Sequence, residues 1–190
     1  MLRAATSVAL FWPIEERHEV DLRSFDAALR ARGVRVAYPM IHRQDLEPND
    51  AADVVTVAPA APSMTFHFVD DVTSLVDRGS GFEEPAAEAP VVSADLRELD
   101  VVVVPALAVD PTGYRIGYGA GYYDRALAGT RVVKVAVIFD FQLLSEIPAT
   151  EGDVAVDWVV TDRRVLAVEQ PATQATETPF DPNAETPWPS

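Results

Sequence analysis

The chain has 190 residues, of which 48% are hydrophobic and 24% charged, the composition of one globular domain rather than of a disordered chain. Its formal charge of -15 opposes contact with nucleic acid or an anionic membrane, so neither is an expected partner, and any phosphate-bearing ligand needs local Arg or Lys, backbone N–H groups or a metal ion. The sequence contains no cysteine, which excludes disulfides, thiol catalysis and Cys-based metal sites and fits a cytoplasmic setting.

Residues 6–12 form a short apolar run. Pro13 and the charged residues after it leave no small-residue cleavage site, so the run predicts a buried strand rather than a leader. Asp21 predicts an N-cap, and Leu22, Phe25 and Leu29 recur at helical spacing until Gly33 closes the element. Residues 34–38 then predict a second strand, stopped by Pro39. Strand, helix, strand is the order of a parallel sheet with covering helices. Residues 45–62, rich in Pro, Ala and acids, predict a surface loop. Residues 64–69 alternate as a half-exposed strand, and residues 77–89 read as a loop.

Val101, Val102, Val103 and Val104 predict the central strand, because an unbroken β-branched run suits burial on both faces. A helix is expected over about residues 121–127, a buried strand over 132–138 and a last strand over 158–161. The domain is expected to span residues 1–168. Residues 169–190 contain no Lys or Arg and several prolines, the signature of a disordered acidic tail. The predicted fold class is therefore α/β: a single three-layer domain with a mainly parallel sheet and helices on both faces, Rossmann-like in plan. A monomer is expected.

The most informative segment runs from the valine strand through a loop into RIGYGAGYYD, residues 115–124. In open α/β sheets ligands bind beyond the carboxyl ends of the strands, where this loop is expected. Gly117, Gly119 and Gly121 remove every second side chain, so main-chain N–H groups can approach an anion. The following helix is expected to add the positive end of its dipole. Arg115 offers a planar fork of donors for phosphate, and Asp124 a hard oxygen ligand for Mg²⁺. Glycine spacing alone matches neither the dinucleotide nor the P-loop pattern. On that spacing alone a tight turn between strand and helix is the favoured reading, with Arg115 and Asp124 as a surface ion pair and Tyr122 and Tyr123 as packing.

The whole string resembles the signature R-L-G-x-G-x-G-Y-Y-D of 5-formyltetrahydrofolate cyclo-ligases, also called methenyltetrahydrofolate synthetases. The resemblance continues in FWPI at residues 11–14, EVD at 19–21, VRVAYP at 34–39, MTF at 64–66, GFEEP at 81–85 and the segment from Ile147 and Pro148 to Asp153 and Asp157. It covers about residues 7–165. It implies an enzyme that uses ATP and Mg²⁺ to close 5-formyltetrahydrofolate into 5,10-methenyltetrahydrofolate, releasing ADP and phosphate. Such phosphoryl transfer needs positioning and charge neutralisation more than a protein nucleophile.

Residue by residue, the resemblance implies a catalytic set of Arg115, Tyr122 and Asp124. It puts ATP against Arg115, Ile116, Gly117, Tyr118, Gly119, Ala120, Gly121, Tyr122 and Tyr123. Folate would meet Trp12, Glu19, Tyr118, Gly119, Ala120, Gly121 and Tyr122, with Glu19 accepting donors of the pterin, and Mg²⁺ would be held by Asp124 and Asp153. Relatives carry a basic helix ahead of the first strand, whereas this chain starts almost at that strand, so weak ATP binding is expected. Gly152 stands where many relatives have His, Leu22 replaces a usual Thr, and residues 15–17 read as a short insertion. His18, His42 and His67 are scattered along the sequence and are not expected to bind metal. The alternative reading is a non-catalytic member that keeps the folate or nucleotide pocket; a different enzyme on a similar scaffold is a third.

Overall fold

The computed structural model describes residues 4–14, 17, 19–42, 63–79 and 81–168. The sequence-predicted loop at 45–62 lies outside the described residues, and so do His18 and the tail from residue 169.

The strands are β1 (Ser7–Ala9), β2 (Arg35–His42), β3 (Ser63–Phe68), β4 (Val76–Asp77), β5 (Glu83–Glu84), β6 (Val101–Val104), β7 (Ala108–Val109), β8 (Arg115–Ile116), β9 (Val133–Val137), β10 (Trp158–Val160) and β11 (Val165–Ala167). The helices are α1 (Arg23–Ala31) and α2 (Tyr122–Leu127). The main sheet has seven strands in the order β11-β10-β9-β6-β1-β2-β3. Pairing is parallel from β10 through β2 and antiparallel at the two edges. The four valines of β6 occupy the middle strand and are all 2% exposed or less, each contributing about 1.5–3 kcal/mol by burial.

Alternation along the strands divides the core in two. Val8, Leu10, Val36, Val101 and Val103 pack with Leu22 and Leu29 of the α1 region. Ala9, Ala37, Val102, Val104 and Ala136 pack with Leu127 of α2. The two helices therefore cover opposite faces, as the sequence predicts. From β1 the chain crosses to β2 on one side, and from β6 it crosses to β9 on the other. The adjacent pair β1 and β6 thus forms the point where strand order reverses, the place such sheets reserve for ligands.

Four expectations are corrected. The N-cap of α1 is Leu22, with no side-chain cap; Asp21, one residue earlier, accepts from the Arg23 N–H at 2.9 Å. Pro39 does not stop β2, which continues to His42. Ala37 O accepts from Leu10 N on the β1 side, and the Ile41 N–H goes to buried Glu84 at 2.6 Å. Odd-numbered residues of β2 therefore point away from β3, and the missing N–H of Pro39 removes no bond of that ladder. Residues 77–89 include half of a two-stranded hairpin, β4 with β5. The strand at 158–160 is followed by β11, an antiparallel edge of three residues, too short and too exposed to announce itself. His42 and His67, far apart in sequence, converge on the Thr65 hydroxyl at 2.7 and 2.9 Å. No group of three or more metal-binding side chains forms among the described residues, nor is any described helix long and apolar enough to cross a membrane.

Asp100, just before β6, fastens the start of β1. Its Oδ2 accepts from Thr6 N at 2.7 Å and Ser7 N at 3.1 Å, and from both hydroxyls. The Thr6 backbone N–H above all holds the Asp100 carboxyl below its ordinary pKa. A depressed carboxyl stabilises the fold above the unfolded-state value, about 3.9, and loses that contribution as pH falls through its folded value. Asp100→Asn should therefore lower the melting temperature at pH 7, and the gap from the parent chain should close as pH drops below about 4. Thermal melts across pH 3–7 test this, and an unchanged gap at pH 3 would contradict it.

Candidate functional site

A cleft of about 500 Å³ opens at the carboxyl ends of β1, β2 and β6. Three segments distant in sequence build it. Phe11, Trp12, Ile14, Arg17 and Glu19 come from the connection after β1; Pro39, Ile41 and Met64 come from β2 and β3; Pro105 and the run from Gly117 to Asp124 come from the chain after β6. Phe82 and Asp153 complete the wall.

The glycine run is positioned by a hairpin. β7 and β8 pair antiparallel around Asp110, which is 1% exposed. Its Oδ1 accepts from Thr112 N, Thr112 Oγ1 and Tyr114 N, and its Oδ2 from Ile147 N at 2.9 Å. This buried carboxylate ties the hairpin to the segment that leads to Asp153. Past β8, Gly119 and Gly121 take φ of 85° and 63°, left-handed values that side chains resist. Gly121 is also the N-cap of α2. With only six residues, α2 sums few peptide dipoles, so the helix field expected from the sequence is small.

Arg115 is 5% exposed at its side chain and already engaged. Its Nη2 donates to Asp124 Oδ1 at 2.9 Å, and its Nη1 donates to Val154 O. Asp124 Oδ1 also accepts from Val154 N at 3.1 Å. The pair is therefore an internal brace joining the glycine run to the 153–154 segment, not a surface ion pair. Asp153 Oδ2 accepts from Thr150 N at 2.7 Å and Thr150 Oγ1 at 2.9 Å, which holds its carboxyl below the ordinary range. Neither Asp124 Oδ2 nor Asp153 Oδ1 has a protein hydrogen-bond partner among the described residues. Two open carboxylate oxygens on one cleft wall fit Mg²⁺, which takes one or two carboxylates and fills its remaining positions with phosphate oxygens and water.

Also in the lining, Glu19 Oε2 accepts from Ile14 N at 2.9 Å, which fixes the carboxylate in the cleft. Burial and then the Glu19 charge raise the Tyr118 phenol above its usual pKa; burial does the same for Tyr123. Trp12 meets Tyr38 edge-on, with centroids 5.9 Å apart, and Tyr123 packs 6.3 Å from Phe66. The Arg17 guanidinium lies 4.2 Å from the centre of the Tyr118 ring.

Trp12, Glu19, Arg115, Gly117, Tyr118, Gly119, Ala120, Gly121, Tyr122, Tyr123, Asp124 and Asp153 thus share one cleft. Ile116 is not among its lining residues and stands 42% exposed. Sequence reasoning gave no role to Arg17, which it read only as part of an insertion, nor to Met64 and Phe82, whose segments it had matched. Period and spacing cannot show that they converge here.

A profile described as the "5-formyltetrahydrofolate cyclo-ligase family" matches residues 1–162. A 5-formyltetrahydrofolate cyclo-ligase of Mycolicibacterium smegmatis is 46% identical over 94 residues, 48% of this chain and 47% of that one. One from Escherichia coli K12 is 29% identical over 176 residues, covering 86% and 88%. The solution structure of Aquifex aeolicus 5,10-methenyltetrahydrofolate synthetase superposes with a TM-score of 0.65 at 26% identity, covering 93% of this chain and 79% of that one.

Proposed function

Because the chain belongs to the 5-formyltetrahydrofolate cyclo-ligase family, we propose that its cleft closes 5-formyltetrahydrofolate to 5,10-methenyltetrahydrofolate at the expense of ATP. The observation that supports this most is the convergence on one wall-to-wall cleft of Glu19, the 117–124 run and Asp153, three segments with no proximity in sequence.

The chemistry asks little covalent work of the protein. The formyl oxygen forms a bond to the γ-phosphorus and ADP leaves. N10 then attacks the activated formyl carbon, the carbon–oxygen bond breaks with departure of phosphate, and N10 loses its proton. Such steps depend on alignment and on stabilising charge. Glu19, fixed through Ile14 N, offers its second oxygen to the amino-pyrimidine edge of the pterin. Trp12 supplies an apolar side wall. Backbone N–H groups between Gly117 and Gly121 line the nucleotide. Asp124 and Asp153 would hold Mg²⁺, which supplies charge neutralisation on the phosphates. The brace from Arg115 keeps Asp124 and the 153–154 segment in register.

The direct test is the growth of near-ultraviolet absorbance when the purified chain is mixed with ATP, Mg²⁺ and 5-formyltetrahydrofolate. Glu19→Gln keeps an acceptor for Ile14 N but removes the charge. It should raise the KM for the folate about tenfold or more, the worth of roughly 1.5 kcal/mol in a charged hydrogen bond, and leave the KM for ATP within about twofold of the parent. Tight folate binding with no product would favour a non-catalytic member, and equal shifts in both constants would remove Glu19 from the pterin.

A further inference from the structure

Among the described residues two arginines line the cleft, and they differ in what their donors are doing. Arg115 is enclosed, with Nη1 and Nη2 both committed to protein oxygens. Arg17 is exposed, forms no ion pair among the described residues, and holds its guanidinium carbon over the Tyr118 ring, 4.2 Å from the ring centre. A guanidinium carries five N–H donors, and one held over an aromatic ring at an exposed position keeps donors that can pair with oxyanions. In a chain of charge -15, with Glu19, Asp124 and Asp153 around the same space, an anion entering the cleft needs such a donor.

We propose that Arg17, held on Tyr118, is the residue whose N–H groups bind the phosphate oxygens of the nucleotide in this cleft, and that Arg115 acts on the phosphates only through the brace it makes. This rests on the function proposed above. The oxyanion could in chemistry be a phosphate or the glutamate carboxylate of the folate, and position favours phosphate. Tyr118 carries the Arg17 guanidinium over its ring, and the Glu19 carboxylate lies close enough to act on the same phenol. Glu19 is the pterin acceptor, so Arg17 stands at the pterin end, beside the formyl group that takes the phosphoryl group. The glutamate end of the folate lies at the far side of the aminobenzoyl ring.

Calorimetric titration of the full chain with inorganic tripolyphosphate reads the anion site without turnover. Arg17→Ala and Arg17→Gln should each weaken tripolyphosphate at least tenfold, Arg17→Lys should recover part of the loss, and Arg97→Ala, an exposed charge at the other end of the sheet, should change it less than twofold. In steady state Arg17→Ala should raise the KM for ATP about tenfold and leave that for 5-formyltetrahydrofolate within twofold. Unchanged tripolyphosphate affinity in both Arg17 variants overturns the proposal while leaving cyclo-ligase turnover intact. A loss confined to folate KM also overturns it and assigns Arg17 to the carboxylate. Loss of tripolyphosphate in Arg17→Ala, with no methenyl product from the parent chain, upholds the anion site and refutes the function. A parent chain that binds no tripolyphosphate refutes the site.

Discussion

Asp124→Asn should lower turnover by two orders of magnitude or more while leaving the fold in place. The two oxygens of this carboxylate have separate tasks. Oδ1 accepts from Arg115 Nη2 and Val154 N, and an asparagine oxygen can accept both. Oδ2 is the open atom on the cleft wall, and an amide nitrogen there cannot ligate a hard cation. On the proposed function the substitution thus removes an Mg²⁺ ligand with little change in shape, while the Arg115 charge loses its full counter-charge. Melting temperature should fall by only a few degrees. A Mg²⁺ titration of turnover should show a strongly raised requirement that excess metal relieves in part. Activity equal to the parent at limiting Mg²⁺ would exclude Asp124 from the metal.

Much of this was legible in the chain itself. Four consecutive valines can satisfy a strand buried on both faces and little else, and β6 is the middle strand. The order of elements sets the parallel core, and the glycine string after β6 marks the carboxyl end of the sheet. What the sequence hid has physical causes. A proline within β2 is harmless only because its nitrogen faces away from β3, a fact of pairing, not of composition. β11 consists of three residues, two of them exposed, so it lacks the periodic pattern that reveals a strand. Asp110 reads as a turn residue, yet it is buried and accepts four hydrogen bonds. Arg115 and Asp124 were visible as an anion donor, a candidate metal ligand or a surface ion pair, but nine residues of separation could not disclose that the guanidinium is enclosed and that the pair also grips Val154.

That engagement gives the second large effect. Arg115→Ala should destabilise the chain by about 3 kcal/mol, the low end for a broken buried ion pair because Asp124 keeps some contact with water. For a domain of this size the corresponding fall in melting temperature is roughly 6–12 °C. The loss comes from two stranded acceptors: Asp124, left with only Val154 N, and Val154 O, left without the Nη1 donor. Turnover should collapse with it, because the brace aligns the glycine run with Asp153. Arg115→Lys should fall between, since an ammonium restores charge but not the two-pronged fit. A third variant separates stability from chemistry. Replacing both partners, as Arg115→Met with Asp124→Leu, removes the unpaired groups together, and such paired apolar replacements are often neutral. The double variant should therefore melt several degrees above Arg115→Ala and still show no activity. If it melts no higher than Arg115→Ala, or if Arg115→Ala melts with the parent, the pair does not brace the cleft. If Arg115→Ala remains folded and weakens only tripolyphosphate, the guanidinium meets phosphate directly, and the division of labour with Arg17 is wrong.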